Sequence, residues 1–396
     1  YTNYKVRLFM KYNFDEIINR QNCNSLKWDI KEGELPMWVA DMDFKVCPEI
    51  LEAIHKKIDV GALGYSIIPE EWYKSYISFW KERYFFDIDK SWLCFVTGVI
   101  PAISTAVRRF TDVGDNIVCL TPVYNIFFHS IENNKRNTIE CPLIYKDYKY
   151  SINFEILEEI FKLEKTKMLI LCNPHNPIGK IWSKEELIKI ADLAKKYEVV
   201  VLSDEIHGPL TDPDKNYIPF ASTCQNAQDI SITAISCSKA FNLAGLQSAA
   251  VIVPNSTLRN IMFKGINDDE VGEPNIIAME GTIAAFNKGQ QWLNELRQYI
   301  YDNKMLVKQF LNKKLPKFKL IESEATYLLW IDITRTGKKS DELQKDIRDK
   351  TGLYLSGGTQ YRGNGYNFLR MNIAMPRVLV QDGLDRLNEY FKKYGK

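Results

Sequence analysis

The 396-residue sequence lacks the features that mark several large classes of protein. No apolar run reaches the roughly 18–20 residues of a membrane span, because the longest candidate, WLCFVTGVIPAISTAV, is interrupted by a glycine and a proline. The formal net charge is only +2, whereas nucleic-acid-binding proteins usually carry a strongly basic face. Residues 1–9 contain no apolar segment of a signal peptide, and we interpret Met10 as the native start after an upstream extension. We therefore expect a cytoplasmic protein that binds neither membranes nor nucleic acids.

Cysteine and histidine are too scattered to form the usual metal or redox motifs. The eight cysteines contain no C-x-x-C pair, and the four histidines lack metal-ligand spacing. Several cysteines lie inside apolar runs such as IVCL and LILCN. The pattern predicts buried, reduced thiols and no metal site.

Strand-like and helix-like segments alternate through the middle of the chain. The strand-like runs are short and continuously apolar, as in a parallel sheet covered on both faces. They are NIVCL (116–120), KMLILCN (167–173), EVVVLSDE (198–205), ISITAIS (230–236) and AAVIVP (249–254). Ser183 and Glu186 have the spacing of a helix capping box, and Pro101 is predicted to start another helix. The alternation predicts an α/β fold.

The pattern changes near residue 290, where a smaller α+β domain is predicted. A helix (292–315), the strand ATYLLWIDI, a helix over Ser340–Lys350, the strand FLRMNIA and a last helix follow one another. We expect residues 51–288 to form a large domain and residues 289–396 a small one. Residues 1–50 are expected to pack with the small domain.

Polar residues follow the predicted strands, at the edge of the sheet where open α/β proteins have their sites. Tyr124, Asn176, Asp204 and Lys239 stand at such positions, and Gly98 precedes a helix. Taken singly, each has an ordinary structural explanation, since an aspartate there usually caps a helix and a lysine is usually solvated. Their joint order points to a common site.

This set of residues suits pyridoxal phosphate. The Lys239 amine can form a Schiff base with its aldehyde, and the Asp204 carboxylate can keep its ring nitrogen protonated. The helix start at Gly98, with Val99 and Ile100, offers free N–H groups to the phosphate, and Ser236 and Ser238 add hydroxyl donors. The Tyr124 ring can cover the face of the cofactor.

Three motifs, NPHNPIGK, SDEIH and SCSKAFNLAGL, resemble those of the fold type I pyridoxal-phosphate enzymes of aminotransferase class I and II. The segments MWVADMDF, ALGYS and GTQY followed by FLRMNIA are similar to the C–S β-lyase branch of the MalY/PatB type. The resemblance covers nearly the whole chain. It implies a large domain with a mostly parallel sheet covered by helices, a smaller α+β domain, and a homodimer.

The resemblance also implies roles for individual residues. Lys239 is the Schiff-base lysine, Asp204 pairs with the ring nitrogen, Asn176 binds the phenolic oxygen, and Tyr124 stacks on the ring. Tyr65 crosses the dimer interface to the cofactor phosphate of the neighbouring subunit. It also borders the substrate in that subunit.

Arg370 binds the α-carboxylate of an amino-acid substrate, and the segment from Trp38 to Ala40 lines the substrate side. Two positions differ from ordinary aminotransferases: His207, which borders the cofactor, replaces a tyrosine, and Gln247 replaces a frequent arginine. Arg362 stands where the family often has glycine, and we interpret it as a surface charge.

The sequence therefore predicts β-elimination from L-cystathionine, L-cysteine or an S-substituted cysteine, which yields pyruvate, ammonia and a thiol or sulfide. Lys239 would remove the Cα proton, with Asp204 and Tyr124 as its catalytic partners. Two alternatives stay open: a pyridoxal-phosphate-dependent aminotransferase, which shares the cofactor site, and a MalY-like regulatory protein that binds a transcription activator.

Overall fold

The computed structural model describes residues 10–394, so the proposed extension over residues 1–9 lies outside the described residues. Short and long strands alternate with helices along the chain. The strands are β1 (Leu35–Pro36), β2 (Leu93–Val96), β3 (Asn116–Thr121), β4 (Asn137–Pro142), β5 (Ile144–Lys146), β6 (Lys149–Ser151), β7 (Thr166–Cys172), β8 (Val200–Asp204), β9 (Ser231–Ile235), β10 (Ala249–Ile252), β11 (Lys319–Leu320), β12 (Leu328–Asp332), β13 (Leu353–Tyr354), β14 (Ser356–Gly357) and β15 (Phe368–Asn372). The α-helices are α1 (Pro48–Ile58), α2 (Glu70–Tyr84), α3 (Val99–Phe110), α4 (Ile126–Glu132), α5 (Phe154–Phe161), α6 (Lys184–Lys196), α7 (Gln225–Ile230), α8 (Ser256–Asp268), α9 (Ile276–Lys288), α10 (Gln290–Lys314), α11 (Ser340–Thr351) and α12 (Arg377–Tyr394).

A seven-stranded sheet in the order β2-β10-β9-β8-β7-β3-β4 forms the centre of the fold. The five strands from β9 to β4 are parallel, which confirms the predicted α/β fold with a mostly parallel sheet. Strand β10 is antiparallel to both of its neighbours, so its predicted direction was wrong. A parallel strand usually needs a crossover helix, and the chain between β9 and β10 contains no α-helix. A continuous apolar run does not by itself reveal this direction.

Local signals explain where the helices begin. Helix α6 has the predicted capping box, in which Glu186 N–H donates to Ser183 Oγ at 3.1 Å and Ser183 N–H donates to the Glu186 carboxylate at 2.8 Å. Helix α3 begins at Val99, two residues before the predicted Pro101. The proline still fits, because amides in the first turn have no partner within the helix. The earlier start leaves the N–H groups of Val99 and Ile100 free at the helix terminus.

A second sheet, ordered β11-β12-β15-β14, lies in the C-terminal part of the chain and is antiparallel. Helices α10 and α11 accompany it close to their predicted bounds, and α12 is the predicted last helix. Strand β1 near the N-terminus pairs with β13, joining Leu35 to Leu353 and Pro36 to Tyr354. The domain limits at residues 50 and 288 stay a prediction.

The cysteines differ in burial. All eight are free thiols; five of them are buried, and Cys94 and Cys224 are partly buried. Cys23 is exposed, so the prediction of buried thiols is wrong for this residue: its neighbours in RQNCNS are polar and form a turn outside the core. Among residues 10–394, the helices are too short or too polar to cross a membrane.

Candidate active site

A cavity of about 320 Å³ opens at the carboxyl ends of the parallel strands. The structure brings together there most of the residues that the sequence singled out, from segments far apart in the chain. They are Ala40, Gly98, Val99, Ile100, Tyr124, Asn176, Asp204, His207, Ser236, Ser238, Lys239 and Gln247. Their individual roles stay predictions, and the contacts and burial of each side chain indicate the chemistry that it is suited to.

Lys239 lies in the turn that follows β9. The Ser238 N–H donates to Ser236 Oγ at 2.9 Å, and the Ser236 hydroxyl lies 2.6 Å from the Ser248 carbonyl oxygen, which fixes this turn. The Lys239 amine donates to the Ala40 carbonyl oxygen at 2.6 Å. Burial lowers the pKa of Lys239 to about 8, against an ordinary 10.5. The amine is therefore far easier to deprotonate than a surface lysine.

Asp204 ends β8 and is buried against the cavity. Its carboxylate accepts a hydrogen bond from the Ile206 N–H at 3.1 Å, and it forms no ion pair with a residue of the described chain. Burial raises the pKa of Asp204 to about 7. A cation placed against this carboxyl would lower the pKa again, so the site favours a positively charged ligand atom here.

The N-terminus of α3 forms an electropositive part of the cavity wall. The free N–H groups of Val99 and Ile100 and the positive end of the helix dipole favour an anion such as a phosphate. Ser238 and Thr97, the residue before Gly98, also line the cavity. Sequence reasoning missed Thr97, although its position between a strand and Gly98 was a usable signal.

Tyr124 and His207 also border the cavity. Burial raises the pKa of Tyr124 to about 12 and lowers that of His207 to about 3, so both are neutral. The His207 Nδ1 atom is buried and has no hydrogen-bond partner among residues 10–394. An orphaned ring nitrogen at a cavity wall indicates a missing polar partner, since buried polar groups are almost always paired.

Arg370 of β15 lies beside the cavity, next to Asn176. Its guanidinium donates to the Trp38 carbonyl oxygen at 2.8 Å and to Asn176 Oδ1 at 3.3 Å, and it lies over the Tyr361 ring. No carboxylate of the described residues is within ion-pair distance of this buried charge. Because an unpaired buried cation is costly, the arrangement favours an anionic ligand.

Tyr65 and Arg362 lie apart from this cavity. Tyr65 is fully exposed in the segment between α1 and α2. Arg362 pairs with Glu132 at 2.6 Å and lies over the Phe128 ring, in agreement with its interpretation as a surface charge.

The donors and acceptors fit pyridoxal phosphate. An anion site at α3 and a carboxyl at Asp204 suit its phosphate and its ring nitrogen, while Lys239 offers an amine for its aldehyde. The unpartnered His207 nitrogen and the amide of Asn176 suit its phenolic oxygen. Within residues 10–394, no cluster of histidine, cysteine and acidic side chains is suited to hold a metal ion. Ile206 and Cys172, which also line the cavity, carried no signal in the sequence.

Glu205, next to Asp204, faces the opposite side of the strand end and belongs to a buried network. It accepts from the Phe220 N–H at 2.7 Å and from the Ser203 hydroxyl at 2.9 Å. Burial raises the pKa of Glu205 from 4.5 to about 7. Because the folded state holds this proton more tightly, its contribution to stability is present at low pH and is lost as the pH rises from 4.5 to about 7.

Glu205→Gln should remove this pH dependence, since the amide stays neutral. We expect the variant to be more stable than the wild type at pH 8, by up to about 3 kcal/mol, and similar to it near pH 5. Urea unfolding at the two pH values measures the difference. Equal destabilisation at both pH values would show instead that the ionised carboxylate supports the fold.

Comparison with known proteins identifies the family of the chain. Residues 36–387 match the family model of aminotransferase class I and II. The chain belongs to this family. Cystathionine beta-lyase PatB of Bacillus subtilis is 39% identical over 383 residues, which cover 95% of this chain and 98% of that protein.

Solved structures of the aminotransferase class I and II fold agree with the chain over almost its full length. Cystalysin from Treponema denticola, solved with pyridoxal 5'-phosphate, has a TM-score of 0.94 and 35% identity, covering 97% of this chain and 100% of its own. The C–S lyase from Staphylococcus hominis, solved with the same cofactor, has a TM-score of 0.89 and 33% identity, covering 96% and 98%. The predicted family and fold are therefore confirmed.

Proposed function

We propose that the protein is a pyridoxal-phosphate-dependent C–S β-lyase that converts L-cystathionine, L-cysteine or an S-substituted cysteine to pyruvate, ammonia and a thiol or sulfide. The observation that carries the proposal is a single cavity that joins the easily deprotonated Lys239 amine, the buried Asp204 carboxyl and the N-terminus of α3. The likeness to PatB, to cystalysin and to the staphylococcal C–S lyase supports the lyase reaction.

The residues of this chain would hold the cofactor at several points. Val99 and Ile100 bind the phosphate through their N–H groups, with the Ser238 hydroxyl beside them. Asp204 pairs with the ring nitrogen, and Tyr124 covers the ring. When bound, pyridoxal phosphate supplies an electron sink for the electron pair released at the substrate Cα.

Lys239 and Arg370 act on the substrate itself. The Lys239 amine, whose pKa is lowered to about 8, takes the proton from Cα, and the Ala40 carbonyl oxygen is within reach of the ammonium group that forms. Arg370 binds the α-carboxylate and so fixes the Cα–H bond relative to the base. A thiolate then leaves from Cβ, and water hydrolyses the released three-carbon product to pyruvate and ammonia, so no second organic substrate is needed.

Arg370→Lys should weaken the binding of every amino-acid substrate, because a lysine cannot reproduce the two parallel hydrogen bonds of a guanidinium. We expect kcat/KM to fall about 30-fold for all of them, with an unchanged cofactor absorption spectrum. Steady-state kinetics on three cysteine derivatives tests this. A loss confined to one derivative would place Arg370 against the substrate side chain.

Pyruvate formation separates the lyase from an aminotransferase. Purified protein with L-cystathionine or L-cysteine should release pyruvate, ammonia and a thiol or sulfide in equal amounts without any added 2-oxo acid. Omission and addition of a 2-oxo acid form the two arms of the assay. Turnover that begins only when the 2-oxo acid is added, with no thiol released, would establish the aminotransferase alternative.

We also propose a homodimer, in which Tyr65 reaches the phosphate site of the partner subunit. The exposed side chains of Val60, Leu63, Tyr65 and Ile67 support an apolar interface along this segment. Mixing Tyr65→Ala with Lys239→Ala subunits tests the shared site, since the mixed dimer has one intact site. We expect about a quarter of wild-type activity from an equal mixture of two defective variants. Equal activity of the mixture and of the separate variants, or a fully active monomer in sedimentation, would contradict the proposal.

A further inference from the structure

Trp38, Tyr354 and Arg348 form a stack of planar side chains. Its inner end is Trp38, which is hydrogen-bonded to Arg370, and its outer end is Arg348. The two rings are 4.8 Å apart and inclined by only 15°. The Arg348 guanidinium lies 3.6 Å from the centre of the Tyr354 ring. Because one ring face cannot hold both groups, Arg348 and Trp38 cover opposite faces of Tyr354.

Glu34 fixes the outer end of this stack. Its carboxylate accepts two hydrogen bonds from Arg348, from Nε and Nη2, each at 2.8 Å. The Arg348 guanidinium holds the pKa of Glu34 below its usual range. Glu34 directly precedes β1, and Tyr354 lies in β13. Because β1 pairs with β13, the backbone segments that carry Glu34 and Tyr354 are held side by side.

At the inner end of the stack, Trp38 contacts Arg370, the residue proposed to bind the substrate α-carboxylate. The Trp38 carbonyl oxygen accepts from Arg370 Nη2 at 2.8 Å and from Ser356 Oγ at 3.1 Å. Within the part of the chain that the structure describes, the other hydrogen bond of the Arg370 side chain, to Asn176, is longer, and Arg370 Nε is buried without a partner. The direction of this guanidinium therefore depends mainly on where the Trp38 carbonyl lies.

We propose that Arg348 is a positioning residue for substrate binding, acting through Tyr354 and Trp38 on Arg370. The proposal rests on the proposed function, because it takes Arg370 as the contact of the substrate α-carboxylate. Arg348 itself touches no substrate. It holds a planar stack whose geometry sets the carbonyl to which Arg370 is bound, and small displacements of a binding group are costly.

Arg348→Lys keeps the charge and removes both the paired hydrogen bonds and the planar face. We expect the KM for L-cystathionine to rise about tenfold while kcat changes less than about twofold. The dissociation constant of glycine, an amino acid without a leaving group, should rise by the same factor in calorimetry. Arg386→Lys is the matched control. Arg386 donates to the carbonyl oxygens of Gly33 and Thr351, which lie close in sequence to Glu34 and Arg348, but it takes no part in the stack.

Substitutions of Tyr354 test the stack itself. Tyr354→Phe keeps the ring and should leave KM at the wild-type value, whereas Tyr354→Leu keeps an apolar side chain but removes the ring and should reproduce the effect of Arg348→Lys. If Tyr354 only stabilised the fold, Tyr354→Leu would lower stability, kcat and cofactor content together. A rise in KM alone in Tyr354→Leu, with none in Tyr354→Phe, therefore indicates positioning.

Two results would overturn the proposal. One is a folded Arg348→Lys variant whose KM and glycine affinity match those of the control, while Arg370→Lys still raises KM. This result would remove the positioning role and leave the proposed function intact. The other is an unchanged KM in Arg370→Lys, which would remove the carboxylate contact and the positioning role with it.

Discussion

Lys239→Ala should lower turnover by about 10⁴-fold, the largest loss that we expect from a single substitution. The variant loses the amine that binds the cofactor aldehyde and the base that takes the Cα proton. The N-terminus of α3 and Asp204 remain, so the protein should still bind pyridoxal phosphate. The rate of pyruvate formation and the cofactor content after gel filtration measure the two quantities separately.

Chemical trapping and rescue give this prediction two independent controls. Borohydride should fix the cofactor to the peptide that contains Lys239 in the wild type and to no lysine in the variant. A small primary amine added to the variant should restore part of the turnover, because it can enter the cavity as a base. A label on any other lysine would show that the amine was assigned wrongly.

Asp204→Asn should lower kcat by about 10³-fold with little change in cofactor content. The amide has the size of the carboxyl and can accept the same hydrogen bond from Ile206, so the change removes mainly the negative charge. Without that charge, the ring nitrogen of the cofactor loses its proton and the cofactor loses most of its capacity as an electron sink. Turnover at saturating substrate measures the loss.

Glu205→Gln is the matched control for Asp204→Asn. It neutralises the adjacent buried carboxyl, which faces away from the cavity, and it should keep kcat near the wild-type value. A similar loss of kcat in both variants would indicate a general disturbance of β8. Near-normal turnover in Asp204→Asn would disprove the role of Asp204 at the ring nitrogen.

The sequence predicted the core strands well, because each is buried on both faces and is therefore apolar along its whole length. Strand β4 was missed because it lacks this burial and therefore lacks the apolar run. It lies at the edge of the sheet, and its sequence NTIECP is mostly polar and partly exposed. The start of α3 was placed two residues late, since Pro101 is favourable anywhere in a first turn.

The candidate site was predictable where its residues follow strands in the order that the fold needs, as Asn176, Asp204 and Lys239 do. Contacts between distant segments were not. The pairing of Arg362 with Glu132 and the stack from Glu34 to Trp38 join positions that no local pattern connects. Nor does a sequence show that the Arg370 guanidinium is buried with no carboxylate of the described residues beside it.

The end of β8 places two neighbouring carboxyl groups on opposite sides of the backbone, Asp204 toward the cavity and Glu205 toward the interior network. Side chains alternate along a strand, so the removal of one residue within β8 would exchange the two environments. The longer glutamate would then enter the cavity, and the aspartate would fall short of its interior partners. Insertions and deletions should therefore be tolerated in the loops around this strand long before they are tolerated inside it, whatever residue is gained or lost.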